Sequence, residues 1–193
     1  MKAASGDWPD VIRMAYFTGL RLQDVTNVIW KDIDFDAHLI TVTPRKTASS
    51  GKKSKTVTVP LHTQLETALL SRPSTDSPNS PVFPLLAGKT TAGRSGLSMA
   101  FSRIMERAGV DGRVKRARSS QESGTKSLGR TVRARTFHAL RHSFVSTLAN
   151  QGVSLELRRA LVGHADERMT EGYSHLEIQT LRQAVEKVPG LGI

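Results

Sequence analysis

The sequence contains no cysteine, which excludes disulfides and thiolate metal sites. No apolar run approaches the ~18 residues that a spanning helix needs, and nothing at the start has the layout of a signal peptide. A soluble, intracellular protein with no membrane partner is expected. Aromatic residues make up 5% of the chain, too few for a single-strand binder built on stacking platforms. Carboxylates are also few, and 17 Asp and Glu face 28 Lys and Arg for a net charge of +11. They are not clustered as a magnesium site requires, and no glycine-rich loop ends in Lys-Ser/Thr to cradle a nucleotide phosphate. No metal and no cofactor are therefore expected. The cationic excess points to a polyanionic partner, because each neutralised phosphate releases condensed counterions.

What is present reads as one mixed α+β domain over its 193 residues, mainly α-helical with a small antiparallel sheet. Trp8 to Phe17 carries an apolar stripe at helical spacing, with Pro9 suited to its first turn and Gly19 to its end. A short helix with Leu22, Val25 and Val28 inward follows. Strand signals come next at Ile29 to Ile33, Leu39 to Thr43 and Thr56 to Val59, the last two joined by a long, basic hairpin tip. Pro60 reads as the opening of a helix bearing Leu61, Leu65 and Leu69. The Ser- and Pro-rich stretch from Arg72 to Pro81 reads as a linker or surface loop. Leu97, Phe101, Ile104, Met105 and Ala108 mark an amphipathic helix ended by Gly109.

Residues 113–135 hold eight basic residues (Arg113, Lys115, Arg116, Arg118, Lys126, Arg130, Arg133 and Arg135) against one acid, Glu122. With almost no apolar content, this segment cannot offset its own ordering entropy and reads as a flexible basic loop that lies along DNA when bound. Thr136 is placed to cap a helix whose core face is Phe137, Leu140, Phe144, Val145 and Leu148. Ser154 starts another, stopped by Gly163. A last helix over 176–188 turns Leu181, Val185 and Val188 to one side.

The residues that carry chemistry stand between these elements. Arg21 follows the turn Thr18-Gly19-Leu20, and Asp24, three residues on, is spaced to hold it. His138 and Arg141, also three apart, project from one helix face, close enough to share one anion. A guanidinium suits that task because its forked donors match phosphate oxygens and its charge persists at working pH. The adjacent His142 lies at a different rotation and reads as structural or as a support behind the residues that touch the anion. Lys46 sits at a strand end, His164 follows Gly163, and Tyr173 comes nine residues later. A phenol in such company is what cleaving a phosphodiester without a metal requires. Tyrosine supplies an oxygen nucleophile, and the cations stabilise charge on the phosphoryl oxygens and move protons. A free phenol with pKa ~10 is a poor nucleophile near neutrality, so it needs a base or a strongly positive surrounding.

Thr18-Gly19-Leu20-Arg21, His138-Ala139-Leu140-Arg141-His142, Leu161-Val162-Gly163-His164 and Tyr173-Ser174-His175, in that order, resemble the catalytic domain of the tyrosine recombinases, the phage-integrase family. The resemblance runs from about Trp8 to about Val188. It implies a site-specific DNA recombinase or integrase of prokaryotic or phage origin, acting in the cytoplasm on a specific double-stranded site, as a homo-tetramer on DNA. Arg21 and Arg141 would contact the scissile phosphate, with His138 and His164 as further donors and Tyr173 as nucleophile. Asp24 would support Arg21 from behind. Family members often carry Glu there, and Asp24 is one methylene shorter.

The resemblance also places the family's hairpin lysine, which protonates the departing 5′ oxygen, at Lys46. Lys52, Lys53 and Lys55 on the same tip are alternatives for that role and otherwise DNA contacts, as are Arg113, Lys115, Arg116, Arg118, Arg133 and Arg135. An N-terminal helical domain normally precedes such a domain, so the chain is expected to be a fragment lacking it. The last helix is expected to dock on a neighbouring protomer, or else on its own core. Two rival readings are a type IB topoisomerase and a DNA-binding protein that retains the fold without the chemistry.

Overall fold

Helix α1 (Trp8–Thr18) takes Pro9 in its first turn and stops at Gly19, whose φ of 64° is left-handed and whose N–H returns to the Ala15 carbonyl. Its buried stripe of Val11, Met14, Ala15 and Thr18 packs against the other helices and sets the centre of the core. This computed structural model describes residues 2–43, 56–73, 77–93, 95–110, 113–115, 131–133, 136–163 and 175–192.

Asp7 stands at the N-cap of α1 but makes no capping bond. Its carboxylate accepts instead from Arg72 at 2.7 Å and from the Leu85 N–H at 2.8 Å. Arg72 also donates to Asp10 at 2.6 Å and to the Val82 carbonyl at 2.9 Å. Burial disfavours this guanidinium's charge, but its bonds to Asp7 and Asp10 outweigh that and lift its pKa above the ordinary value. The stretch from Arg72, expected to be a linker or surface loop, is thus a loop tied down at both ends. Pro81 bridges Ile29, and the Trp30 N–H donates to the Ser80 carbonyl.

Helix α2 (Leu22–Thr26) is followed by a 3₁₀ turn (Trp30–Asp32) where a strand was expected. The cause is local, because the Asp32 carboxylate accepts from the Ile29 N–H at 3.1 Å and folds those residues back. The strand that joins the sheet is shortened to β1 (Ile33–Asp34), beside β2 (Leu39–Val42) and β3 (Val57–Pro60) in antiparallel order β1-β2-β3. Ile40 opposes Val59 and Val42 opposes Val57 on the buried face. Thr41 and Thr58 share a hydroxyl hydrogen bond on the other face, the period-2 alternation of a half-buried sheet. Pro60 ends β3 instead of opening a helix. Helix α3 (Thr63–Leu70) begins after His62, whose Nδ1 accepts from the Gln64 N–H at 3.1 Å.

Helix α4 (Leu97–Arg107) is followed by β4 (Arg113–Lys115), which pairs antiparallel with β5 (Thr131–Arg133). The two ends of the segment expected to be loop therefore form a short ladder, with Val114 opposite Val132. Paired backbone groups stabilise these ends where side-chain burial alone would not. Helix α5 (His138–Asn150) has Phe137 at its N-cap with no side-chain capping bond, and the Thr136 carbonyl accepts from the Ala139 N–H at 2.9 Å. Phe137 is buried against Phe101 with ring centroids 5.1 Å apart, so tertiary packing sets this entry in place of a cap. Helix α6 (Leu155–Leu161) is capped by Ser154 as its sequence implies.

Helix α7 (His175–Glu186) packs across β3 with Leu181, Ala184 and Val185 buried, as is Val188 beyond it. Because His62 Nδ1 accepts a hydrogen bond, its Nε2 holds the proton and donates to the Val188 carbonyl at 3.2 Å, while its ring stacks on Phe17. Glu186 accepts from both the N–H and the hydroxyl of Thr63 at 2.9 Å. In the single chain the stripe is buried on its own β3, the self-docking arrangement. Leu181, Val185 and Val188 contribute roughly 5 to 9 kcal/mol of burial, comparable to the ~5–15 kcal/mol stability of a whole domain. Deleting the chain after His175 is accordingly expected to abolish cooperative thermal unfolding. A truncated chain that keeps the parent melting transition would show that the helix is dispensable to the core.

Candidate active site

The first cation of the site is placed by the stop of α1. Left-handed Gly19 turns the chain so that Arg21 begins α2 in extended conformation. The Arg21 side chain is partly open to solvent, and its Nη1 lies 4.0 Å from Oδ2 of buried Asp24. That distance is an ion pair without the geometry of a direct hydrogen bond. The shorter acid restrains Arg21 electrostatically from beneath.

Arg141 comes from the second turn of α5 and is buried. Its Nη1 donates to the Gly19 carbonyl at 2.9 Å and its Nη2 to the Val162 carbonyl at 2.5 Å. Two backbone acceptors from distant parts of the chain thus fix the plane of the guanidinium. Burial is the main influence on its pKa, and the nearby charge of Arg21 adds to it. Together they push it down to about 10 against a smaller opposing pull from Asp24. Arg141 remains charged at neutral pH, but at a cost that an anion placed against it would relieve. Such preorganised, partly desolvated charge is what stabilises a phosphoryl transition state.

His138 is exposed at the first turn of the same helix, its ring edge-on to that of His142 with centroids 4.7 Å apart. His142, set aside on rotation, lines the same cavity as His138 and Arg141. The relevant spacing is its four residues from His138, which brings the two rings to one face. The carbonyls of Gly19 and Val162, and Arg158 and Arg159 of α6, also belong to the site's surroundings and escaped the sequence reading. Carbonyl acceptors leave no trace in residue identity. Arg158 and Arg159 carry no motif or spacing that separates them from an ordinary solvated helix face.

Among the expected site residues, the structure brings together Arg21, Asp24, His138 and Arg141. Lys46, Lys52, Lys53, Lys55, Arg116, Arg118, Arg135, His164 and Tyr173 lie outside the described residues. Arg113, Lys115 and Arg133 are described as strand backbone only. Gly163, just before His164, has φ 71°, and a Cβ there would meet Val57 Cγ2 at 2.5 Å. The end of α6 therefore seats directly on β3.

Gly19 has the same double constraint. A Cβ at φ 64° would meet Phe144 Cδ1 at 2.6 Å. Gly19→Ala is expected to destabilise the fold by about 3 kcal/mol, from left-handed strain and overpacking, and to move the carbonyl that holds Arg141. Urea denaturation measures the first effect. An unchanged midpoint would mean that α5 yields without cost.

A mostly helical domain with a small antiparallel sheet holds buried Arg141 within reach of the charge of Arg21 and opens a cavity lined by His138, Arg141 and His142. The chain belongs to the phage integrase family, whose model matches residues 9–180. It is 30% identical over 175 residues to the tyrosine recombinase XerC of Pseudomonas syringae pv. tomato, an alignment covering 89% of this chain and 48% of the relative. The chain spans about half the length of the curated relatives it matches.

The fold resembles that of the integrase from mycobacterium phage Brujita, with TM-score 0.61 at 20% identity over 96% of this chain and 53% of that one. It also resembles the Tn1549 transposon integrase, solved in complex with transposon right end DNA. There the TM-score is 0.52 at 20% identity, over 89% of this chain and 56% of that one. Among the described residues, no helix is long and apolar enough to cross a membrane.

Proposed function

We propose that this chain is the catalytic portion of a site-specific DNA recombinase or integrase that cuts and rejoins DNA through a 3′-phosphotyrosyl intermediate. The observation that carries the reading is Arg141, buried, oriented by two carbonyls and adjoining Arg21. A buried guanidinium with its pKa pushed down has little structural justification beyond those two bonds, and a phosphate is the ligand that relieves it.

In this reading the phenolic oxygen of Tyr173 attacks the scissile phosphorus. The bond to the 5′ oxygen breaks, and that oxygen leaves as a hydroxyl after taking a proton from Lys46. Arg21, Arg141, His138 and His164 bear the charge on the non-bridging oxygens. A 5′ hydroxyl from a partner strand reverses the step. The phosphotyrosine conserves the bond energy, so the exchange needs no external energy source. The partner is double-stranded DNA bearing a specific site, and the working form is a tetramer assembled on it.

The deciding experiment is covalent trapping on a nicked suicide duplex carrying the native site. A protein–DNA adduct that survives denaturant supports the reading, and a chain that binds the site without any adduct makes it a DNA-binding module. Relaxation of a supercoiled plasmid lacking the site would instead favour topoisomerase action.

The role of Lys46 has its own test. Lys46→Ala is expected to slow cleavage of the ordinary substrate and to recover most of the rate when the leaving 5′ oxygen is replaced by sulfur, which needs no general acid. Equal slowing on both substrates would transfer the proton donor to Lys52, Lys53 or Lys55.

A further inference from the structure

Two cavities of the described residues are lined by arginines, and they differ in what already occupies those charges. The first, between α1 and α3, includes Arg13 and Arg72, and both are paired with Asp10 in the same wall. The second, about 370 Å³ between α5 and α6, is lined by His138, Arg141 and His142 from one helix and by Arg158 and Arg159 from the other. No carboxylate is among the described residues that line it. Its remaining wall is apolar, which leaves the cations less screened than they would be on an open surface.

Arg21 is not on this wall. Arg141 stands between the two regions, with Nη1 on the Gly19 carbonyl toward Arg21 and Nη2 on the carbonyl of Val162, itself a cavity residue. Arg158 is pinned by a hydrogen bond from its Nε to the Val153 carbonyl at 3.0 Å, and Arg159 is exposed. A pinned guanidinium and a free one at the mouth of a cationic cavity suit an anion beyond the one that Arg21 and Arg141 share.

We propose that the cavity between α5 and α6 seats a second phosphate of the bound DNA strand, flanking the scissile one, with Arg158 and Arg159 as its ligands. The proposal rests on the DNA-cleaving reading above. Arg158 and Arg159 take no part in bond making. They hold the strand in register so that the scissile phosphate meets Arg21 and Arg141.

The test is the salt dependence of affinity for a fluorescent random-sequence duplex, measured by anisotropy with the whole chain. Each lost phosphate contact lowers the slope of log Kobs against log salt by about 0.9. Arg158→Ala/Arg159→Ala is expected to lose about that much, and Arg158→Lys/Arg159→Lys to keep the slope, since a phosphate contact needs charge. Arg159→Ala alone, at an exposed position that does not endanger folding, is expected to lose part of it.

Combining Arg158→Ala/Arg159→Ala with Arg21→Ala separates one phosphate from two. Losses that add in the combined variant support a distinct second phosphate, whereas a combined loss no larger than the greater of the two separate losses means a shared one and overturns the proposal. An unchanged slope in the alanine variants, or equal loss in the lysine variant, also overturns it. If the unaltered chain shows no salt-dependent binding at all, the DNA reading itself fails and the proposal with it.

Discussion

Tyr173→Phe is expected to leave no denaturant-resistant DNA adduct while DNA affinity stays close to that of the parent. The substitution removes one oxygen and keeps the ring, so packing and phosphate contacts are retained while the nucleophile is lost. The chain has two tyrosines. The other, Tyr16, lies in α1 and donates its hydroxyl to the Pro189 carbonyl at 3.2 Å, which commits it to holding the C-terminal segment. A labelled suicide duplex run on a denaturing gel reads the outcome directly. An adduct that persists in the Phe variant would place the nucleophile on another side chain.

Arg141→Ala is the second large effect, and it acts on two levels. Loss of a preorganised donor to the phosphoryl oxygens is expected to slow single-turnover cleavage by about 10² to 10³, or ~3 to 4 kcal/mol. The same change strips the Gly19 and Val162 carbonyls of their buried donor, at about 1 to 3 kcal/mol for each acceptor left unsatisfied. Partly offsetting this, a desolvated cation repelled by Arg21 disappears. The fold is therefore expected to weaken but survive.

Arg141→Lys separates the two levels, because it keeps a charge and loses the fork that spans both carbonyls. Cleavage at the parent rate by a folded Arg141→Ala protein would remove Arg141 from the chemistry.

Much of this molecule was legible in the chain alone, and for local reasons. Pro9 and Gly19 bound α1, Ser154 caps α6, and the alternation in Leu39–Val42 and Val57–Pro60 marks two sheet strands. Each of these signals is carried by residues within a few positions of the feature they specify. Candidates for the chemistry can likewise be named from their spacings before any fold is known, and of these the structure places Arg21, Asp24, His138 and Arg141 near one another.

Only the tertiary structure decided what those residues meet. The acceptors that orient Arg141 lie 122 and 21 residues away, and being backbone carbonyls they could belong to any residue type. His142, Arg158 and Arg159 converge on a cavity only because α5 and α6 pack side by side. A one-sided apolar stripe such as Leu181, Val185 and Val188 states that it must be buried, and its period says nothing of against what. In this chain the stripe lies on β3, with His62 and Thr63 bonding the end of the helix. Periodicity and end signals are properties of neighbours along the chain, whereas partners are properties of closure, and closure is settled only when the whole core packs.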